Sequence, residues 1–231
     1  MRDYCAPFRD KHITVIGLGL LGRGVGDAEF LVKCGAHLTV TDMKSAEQLA
    51  PSLERLKAYP NITFHLGGHE TEDFVNTDLV MKGVKVPLDS PYIAAAREAG
   101  VPITMSTALF AKYAGEVGAR IVGITGTRGK STVTHMVYHA LRNAAPRQSS
   151  GRERPSFAQG YGRAQQVFLG GNIRGISTLA MLPDVAEGDI VVLELDSWQL
   201  QGFGELKISP NIAVFTNLYP DHQDYYPDLE T

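Results

Sequence analysis

A chain of 231 residues with 44% hydrophobic and 20% charged residues has the balance of a soluble globular protein, with room for one large or two ordinary domains. Its formal net charge of −3 gives no general attraction to nucleic acid or to an anionic membrane, so any phosphate binding must be local. Two cysteines, Cys5 and Cys34, stand in no metal or redox spacing and read as structural thiols of a reducing compartment. The N-terminus lacks a signal-peptide core and no run approaches the roughly 20 apolar residues of a membrane span, so the expected location is cytoplasmic.

Strands and helices alternate from the start. His12 to Ile16 reads as a strand, Leu20 to Lys33 as a helix, His37 to Thr41 as a strand and Ala46 to Ala58 as a helix. Strands at Ile62 to His65, Leu79 to Lys82 and Val101 to Thr104 follow, around a helix at Ser90 to Ala99. This alternation predicts an α/β fold with a mostly parallel sheet covered by helices. A helix at Ala108 to Ala114 and the stretch Gly115-Glu-Val-Gly118 mark a boundary near residue 117, giving predicted domains 1–117 and 118–231. The second opens on a strand at Ile121 to Ile124 and a helix at Ser131 to Leu141. It continues through strand Val167 to Leu169, helix Ile176 to Leu182, strand Asp189 to Leu195 and strand Ile212 to Thr216. Residues 144–166 are rich in Pro, Gly, Ser, Gln and Arg without periodicity, and are expected to form a mobile loop.

Two glycine turns carry the chemistry. Gly17-Leu-Gly-Leu-Leu-Gly22 follows the first strand and opens the first helix, the geometry for close approach of backbone to a diphosphate. Asp42 closes the next strand 20 residues past Gly22, where a dinucleotide fold puts the acid that bonds a ribose hydroxyl. These residues do not separate a nicotinamide cofactor from another diphosphate ligand. The second turn, Gly123-Ile-Thr-Gly-Thr-Arg-Gly-Lys-Ser-Thr132, ends an apolar strand and opens a helix. It is a variant phosphate loop, because the position six before Lys130 is Ile124. The N–H groups of Gly126, Thr127, Arg128, Gly129 and Lys130 are expected to face phosphate oxygens, the Lys130 ammonium adds charge, and Ser131 or Thr132 can hold Mg²⁺. The ligand so implied is a nucleoside triphosphate.

Other candidates gather at strand ends, where open parallel sheets bind ligands. Ile190 to Asp196 ends in two carboxylates, of which Glu194 is the candidate metal ligand; the competing role for such an acid is an ion pair or a helix cap. Asn172, after Gly170-Gly171, can orient a phosphate or an amide, or merely sit in a tight turn. Asp221 and His222 can complete a metal or substrate site, and Trp198 and Gln199 pack near it or cap the strand. His135 and His139 lack the glutamate of a zinc-protease helix and read as packing or surface residues.

In order and spacing, Gly17 to Gly22, Thr125 to Thr132, Gly170 to Ile173, Leu193-Glu-Leu-Asp-Ser-Trp-Gln-Leu200 and Asn217-Leu-Tyr-Pro-Asp-His222 resemble the Mur ligase family. Gly-Lys-Ser-Thr-Val-Thr134 looks most like its D-glutamate-adding branch. The resemblance implies a Rossmann-like N-terminal domain followed by an incomplete phosphate-loop ATPase domain. It also implies ATP and Mg²⁺ as cofactors, UDP-N-acetylmuramoyl-L-alanine and D-glutamate as substrates, no nucleic acid or membrane partner, and a monomer. By resemblance, Leu20, Leu21, Asp42, Gly83 and Asn172 would contact the substrate, and Gly126 to Thr132 the ATP phosphates. Lys130, Asn172 and His222 would be catalytic, and Ser131, Glu194 and His222 would hold metal.

The chain departs from the family pattern at Asp196, where a serine is usual, and at Met81-Lys-Gly83, where Ser-Pro-Gly is usual. Nine residues follow His222, short of the family's metal-bridging carbamylated lysine and C-terminal domain. The expectation is therefore a fragment, inactive alone. Two alternatives stand beside the ligase: a nicotinamide-dependent oxidoreductase built on Gly17 to Gly22, and a non-catalytic nucleotide-binding module.

Overall fold

From Ile13 onward the first strand, His12–Ile16 (β1), buries every side chain, as only an interior strand covered on both faces does. The computed structural model describes residues 3–20, 22–84, 86–87, 89–144, 164–223 and 225–226. β1 pairs in parallel with His37–Asp42 (β2) on one side and Leu79–Lys82 (β4) on the other. Ile62–Leu66 (β3) and Ile103–Thr104 (β5) complete a five-stranded sheet of order β3-β2-β1-β4-β5. The order reverses between β1 and β4, and the crevice at their carboxyl ends is where such a sheet receives a ligand. Arg23–Lys33 (α1), Ala50–Leu56 (α2), Glu72–Val75 (α3) and Pro91–Glu98 (α4) connect these strands.

Ser106–Glu116 (α5) leads into a second all-parallel sheet of order β7-β8-β6-β9. Its strands are Arg120–Thr125 (β6), Val167–Gly171 (β7), Ile190–Glu194 (β8) and Ile212–Phe215 (β9), with Lys130–Ala144 (α6) and Ser197–Glu205 (α7) between them. The two-residue strand period divides the apolar side chains. Ile121, Val191 and Leu193 join the main core, while Val122, Ile124 and Val192 meet Val133, Val137 and Leu141 of α6. β9 is an edge strand whose Ile212 and Phe215 are exposed.

The main apolar cluster belongs to both sheets. It runs from Val15 and Leu38 through Phe110 and Ala114 of α5 to Leu179, Leu193 and Phe203. Among the described residues no helix is long and apolar enough to cross a membrane.

Several local expectations change. The first helix starts at Arg23 and not Leu20, because Gly19 (φ 67°) and Gly22 (φ 82°) hold left-handed conformations that a right-handed helix cannot include. The helix expected at Ile176 to Leu182 is a 3₁₀ turn at Leu179–Asp184, with Pro183 inside it. The helix α7, which begins immediately after Asp196, was not foreseen. Cys5 and Cys34 are not free thiols but a disulfide 29 residues apart in sequence. The turn over residues 4–10 lays Phe8 edge-on against Phe30 and Tyr113, which carries Cys5 to the end of α1. Of the segment expected to be a loop at 144–166, residues 145–163 lie outside the described residues, as does Leu21.

Candidate functional site

The phosphate loop hangs between the end of β6 and the start of α6. Gly126 has φ 129°, and a Cβ there would lie 2.1 Å from Thr216 Oγ1, so no other residue fits. The chain after β9 pins the loop from behind. The Thr127 N–H donates to the Asn217 carbonyl at 2.9 Å, and the Thr127 hydroxyl both donates to the Tyr219 carbonyl and accepts from the Tyr219 N–H. The Arg128 N–H donates to Asn217 Oδ1 at 2.9 Å. The expectation that all N–H groups from Gly126 to Lys130 face a ligand is thus corrected: those of Thr127 and Arg128 are used inside the protein. What remains for an anion is the first turn of the fifteen-residue α6, with Ser131 and Thr132 exposed on it. Lys130 Nζ donates to the carbonyls of Gly126 (2.8 Å) and Thr127 (3.0 Å), which keeps its charge over the loop.

Beside the loop lies a cleft of about 430 Å³ lined by Lys130, Asp196, Leu200, Tyr219 and His222, among others. The His222 ring packs on Trp198 with centroids 4.3 Å apart, and its Nε2 is 3.9 Å from Asp221 Oδ2. Asp196 is the N-cap of α7. Its Oδ1 accepts from the Gln199 N–H at 2.8 Å while Gln199 Oε1 accepts from the Asp196 N–H at 3.1 Å, a capping box. Burial pushes the Asp196 carboxyl above the usual aspartate range, against the Gln199 N–H. The acid at the family's serine position therefore has a structural job that serine also performs.

Glu194, at the end of β8, is only 3% exposed. The Asn172 N–H donates to its carbonyl at 2.7 Å, and Asn172 Nδ2 to its Oε1 at 3.4 Å. Arg23 of α1 donates to Asn172 Oδ1 at 3.2 Å, so one polar chain crosses from the first sheet's helix to the second sheet's carboxylate. The structure brings Asn172 to Glu194, and Lys130 to the cleft of His222. His135 and His139 are exposed on α6.

The other cleft, about 210 Å³, opens at the carboxyl ends of β1 and β4 and is lined by Gly17, Gly19, Leu20, Arg23, Lys82 and Gly83, among others. Gly83 approaches so closely that a Cβ would lie 2.9 Å from the Ile16 carbonyl, to which its N–H donates at 2.8 Å. Asp42 does not line this cleft. It lies behind the turn, where Oδ2 accepts from the Gly19 N–H at 3.3 Å and Oδ1 from the Lys44 N–H at 2.9 Å. Arg23, Lys82 and Asn217 were missed as site residues. Asn217, the polar residue just past a strand end, and Lys82, inside the departure at Met81-Lys-Gly83, had a signal in the sequence.

Comparison with known proteins agrees with this geometry. The family model of the MurD-like N-terminal domain of Mur ligases matches residues 11–105, and that of the Mur ligase middle domain matches residues 124–231. A UDP-N-acetylmuramoylalanine--D-glutamate ligase from Roseiflexus sp. (strain RS-1) is 37% identical over 220 residues, covering 95% of this chain and 42% of that protein. A protein of the same name from Treponema pallidum (strain Nichols) is 34% identical over 243 residues, covering 100% of this chain and 41% of its own length. The chain thus spans about two fifths of the length of these relatives. The crystal structure of UDP-N-acetylmuramate:L-alanyl-gamma-D-glutamyl-meso-diaminopimelate ligase from Neisseria meningitides shares the fold, with TM-score 0.50 and 20% identity over 96% of this chain and 64% of that one. With two parallel sheets in this order, a glycine turn at the mouth of each and both domain families matched in sequence, the chain belongs to the Mur ligase family.

Proposed function

We propose that the chain is the substrate- and nucleotide-binding portion of an ATP-dependent amide-bond ligase that adds D-glutamate to UDP-N-acetylmuramoyl-L-alanine in peptidoglycan precursor synthesis. The observation that carries this reading is the pair of clefts, one at each sheet's carboxyl edge, with Lys82 of the first bonded to Gln201 of the second, while the chain Arg23–Asn172–Glu194 leads from the first cleft to the end of β8. A sugar nucleotide seated on Gly17 to Leu20 and Gly83 extends its acyl end toward the second cleft, where the phosphate loop holds ATP.

In this reading the substrate carboxylate attacks the γ-phosphorus of ATP, the bond to the β-γ bridging oxygen breaks, and ADP leaves. The amine of D-glutamate then attacks the acyl phosphate and phosphate departs. Lys130 sits where its charge offsets that gathering on the transferred group, and the first turn of α6 adds its dipole. Asn172 orients the substrate while Arg23 holds its amide from the far side.

Glu194 fits a Mg²⁺ ion: it is a buried carboxylate with no cationic side chain in ion-pair contact among the described residues, and its one side-chain hydrogen bond is long. Glu194, with Ser131 and His222, would hold the ion, which supplies charge neutralisation at the phosphates.

Calorimetry on the chain with UDP-N-acetylmuramoyl-L-alanine, ATP with Mg²⁺, NAD and NADP tests the proposal. Saturable binding of the first two and none of the dinucleotides is expected. Tight NAD(H) binding without any for the UDP-sugar overturns the reading of the first cleft.

A further inference from the structure

Lys82 is an unusual residue for the place it occupies. It ends β4, is only 7% exposed, and its Nζ donates at 2.6 Å to Oε1 of Gln201, a neutral amide on α7. Burial pushes its ammonium below the usual lysine range, and Glu205, the acid that acts on it, is held by Arg97. A buried cation satisfied by one amide is an expensive feature unless something anionic shares its site.

Among the described residues, no carboxylate of the cleft bonds the ammonium. Asp27, which also lines it, is turned to the Ser177 hydroxyl, from which it accepts at 2.6 Å, and burial pushes its carboxyl above the usual aspartate range. Arg23 adds a second cation, turned to Asn172. The register places Lys82 beside Ile16, one residue before Gly17, with Gly83 bonded to the same strand end. The ammonium thus stands on the strand flanking the glycine turn, on the cleft that faces the N-terminal end of α1.

We infer that Lys82 is a direct contact for the diphosphate of the sugar nucleotide in this cleft, a charged contact residue at a point where the family pattern has Ser-Pro-Gly. The inference rests on the reading of the first cleft given above. On binding, the ammonium exchanges the Gln201 amide for phosphate oxygen, a charge-assisted bond in place of a neutral one.

The probes are UDP and uridine, which differ only in the diphosphate, titrated into the whole chain. Lys82→Met should weaken UDP about ten- to hundredfold while leaving uridine unchanged, and Lys82→Arg should recover most of the loss. In the unsubstituted chain the ¹⁵N resonance of the Lys82 ammonium should move on adding UDP and stay put with uridine, a readout independent of whether a variant folds. Equal UDP affinity in Lys82→Met, or a Lys82 resonance indifferent to UDP, overturns the inference and leaves the cleft assignment standing. Failure of the unsubstituted chain to bind UDP overturns both.

Discussion

Asn217 grips the peptide of Arg128 from both sides: its Oδ1 accepts from the Arg128 N–H at 2.9 Å and its Nδ2 donates to the Arg128 carbonyl at 3.1 Å. A side chain just past β9 thereby fixes the most exposed turn of the phosphate loop, 89 residues earlier in sequence.

Asn217→Ala removes both bonds at once. A loss of about 1–3 kcal/mol in stability is expected, with faster amide exchange at Arg128 and weaker ATP binding, since the loop then has to be ordered by the ligand. Denaturant titration and hydrogen exchange check this; unchanged protection at Arg128 contradicts it.

Lys130→Ala should lower ATP affinity about tenfold or more and change UDP-sugar affinity less than about twofold, because the ammonium sits over the phosphate loop and lines the second cleft alone. Calorimetry with each ligand measures the two separately. Equal losses would remove the loop from nucleotide binding.

At Asp196, serine should be tolerated and alanine should not. Asp196→Ala forfeits the N-cap of α7 at a cost of about 1 kcal/mol, whereas Asp196→Ser keeps a capping oxygen. The pH dependence has a definite sign. Because burial raises the folded-state value, the carboxyl binds its proton more tightly in the folded chain; the stability this contributes is complete below 3.8 and is lost as pH rises through the raised value. The difference between wild type and Asp196→Ser should therefore drift in favour of the serine variant from acid toward neutral pH, as read by thermal melting.

Glu194→Gln should raise the Mg²⁺ concentration needed for ATP binding several-fold, roughly the effect of losing one anionic ligand, while leaving the melting temperature close to wild type because glutamine keeps an acceptor for Asn172. A titration of Mg²⁺ at fixed ATP decides it.

Much of this was legible in the sequence because it is local. The strands β1, β2, β4, β6 and β8 are apolar runs bounded by glycine or polar turns, and both glycine motifs announce the strand ends they follow. The missed pieces depend on distance or on weak local signals. The helix α7 carries Gly202 and Gly204, which depress helix propensity, and it is held by the Asp196–Gln199 capping box and by packing against α5. Arg23 and Asn172 are 149 residues apart, and Lys82 and Gln201 are 119 apart; no periodicity links such pairs. Asp42 sits where the dinucleotide pattern puts a ligand contact, and its carboxyl also accepts from the N–H groups of Gly19 and Lys44, bonds that spacing alone does not show.

Oxidation state should matter to stability. The Cys5–Cys34 bond closes a loop of 29 residues' separation, which a chain-entropy estimate places at about 3–4 kcal/mol. Cys34→Ser should lower the melting temperature under oxidising conditions and make no difference in excess dithiothreitol; a difference that persists in reductant would assign the effect to packing against Phe30 and Cys5.

The apolar cluster that joins both sheets through α5 has a consequence for how the molecule behaves as a machine. With Phe110 and Ala114 buried against residues of either sheet, the sheets cannot rotate on each other without opening that core, so heat should take them apart in a single cooperative step. The distance and angle between the two clefts are then set when the chain folds, before any ligand arrives. In the proposed ligase reading, part of the entropy of bringing an acyl carboxylate into line with a phosphoryl group is then met in advance by the fold.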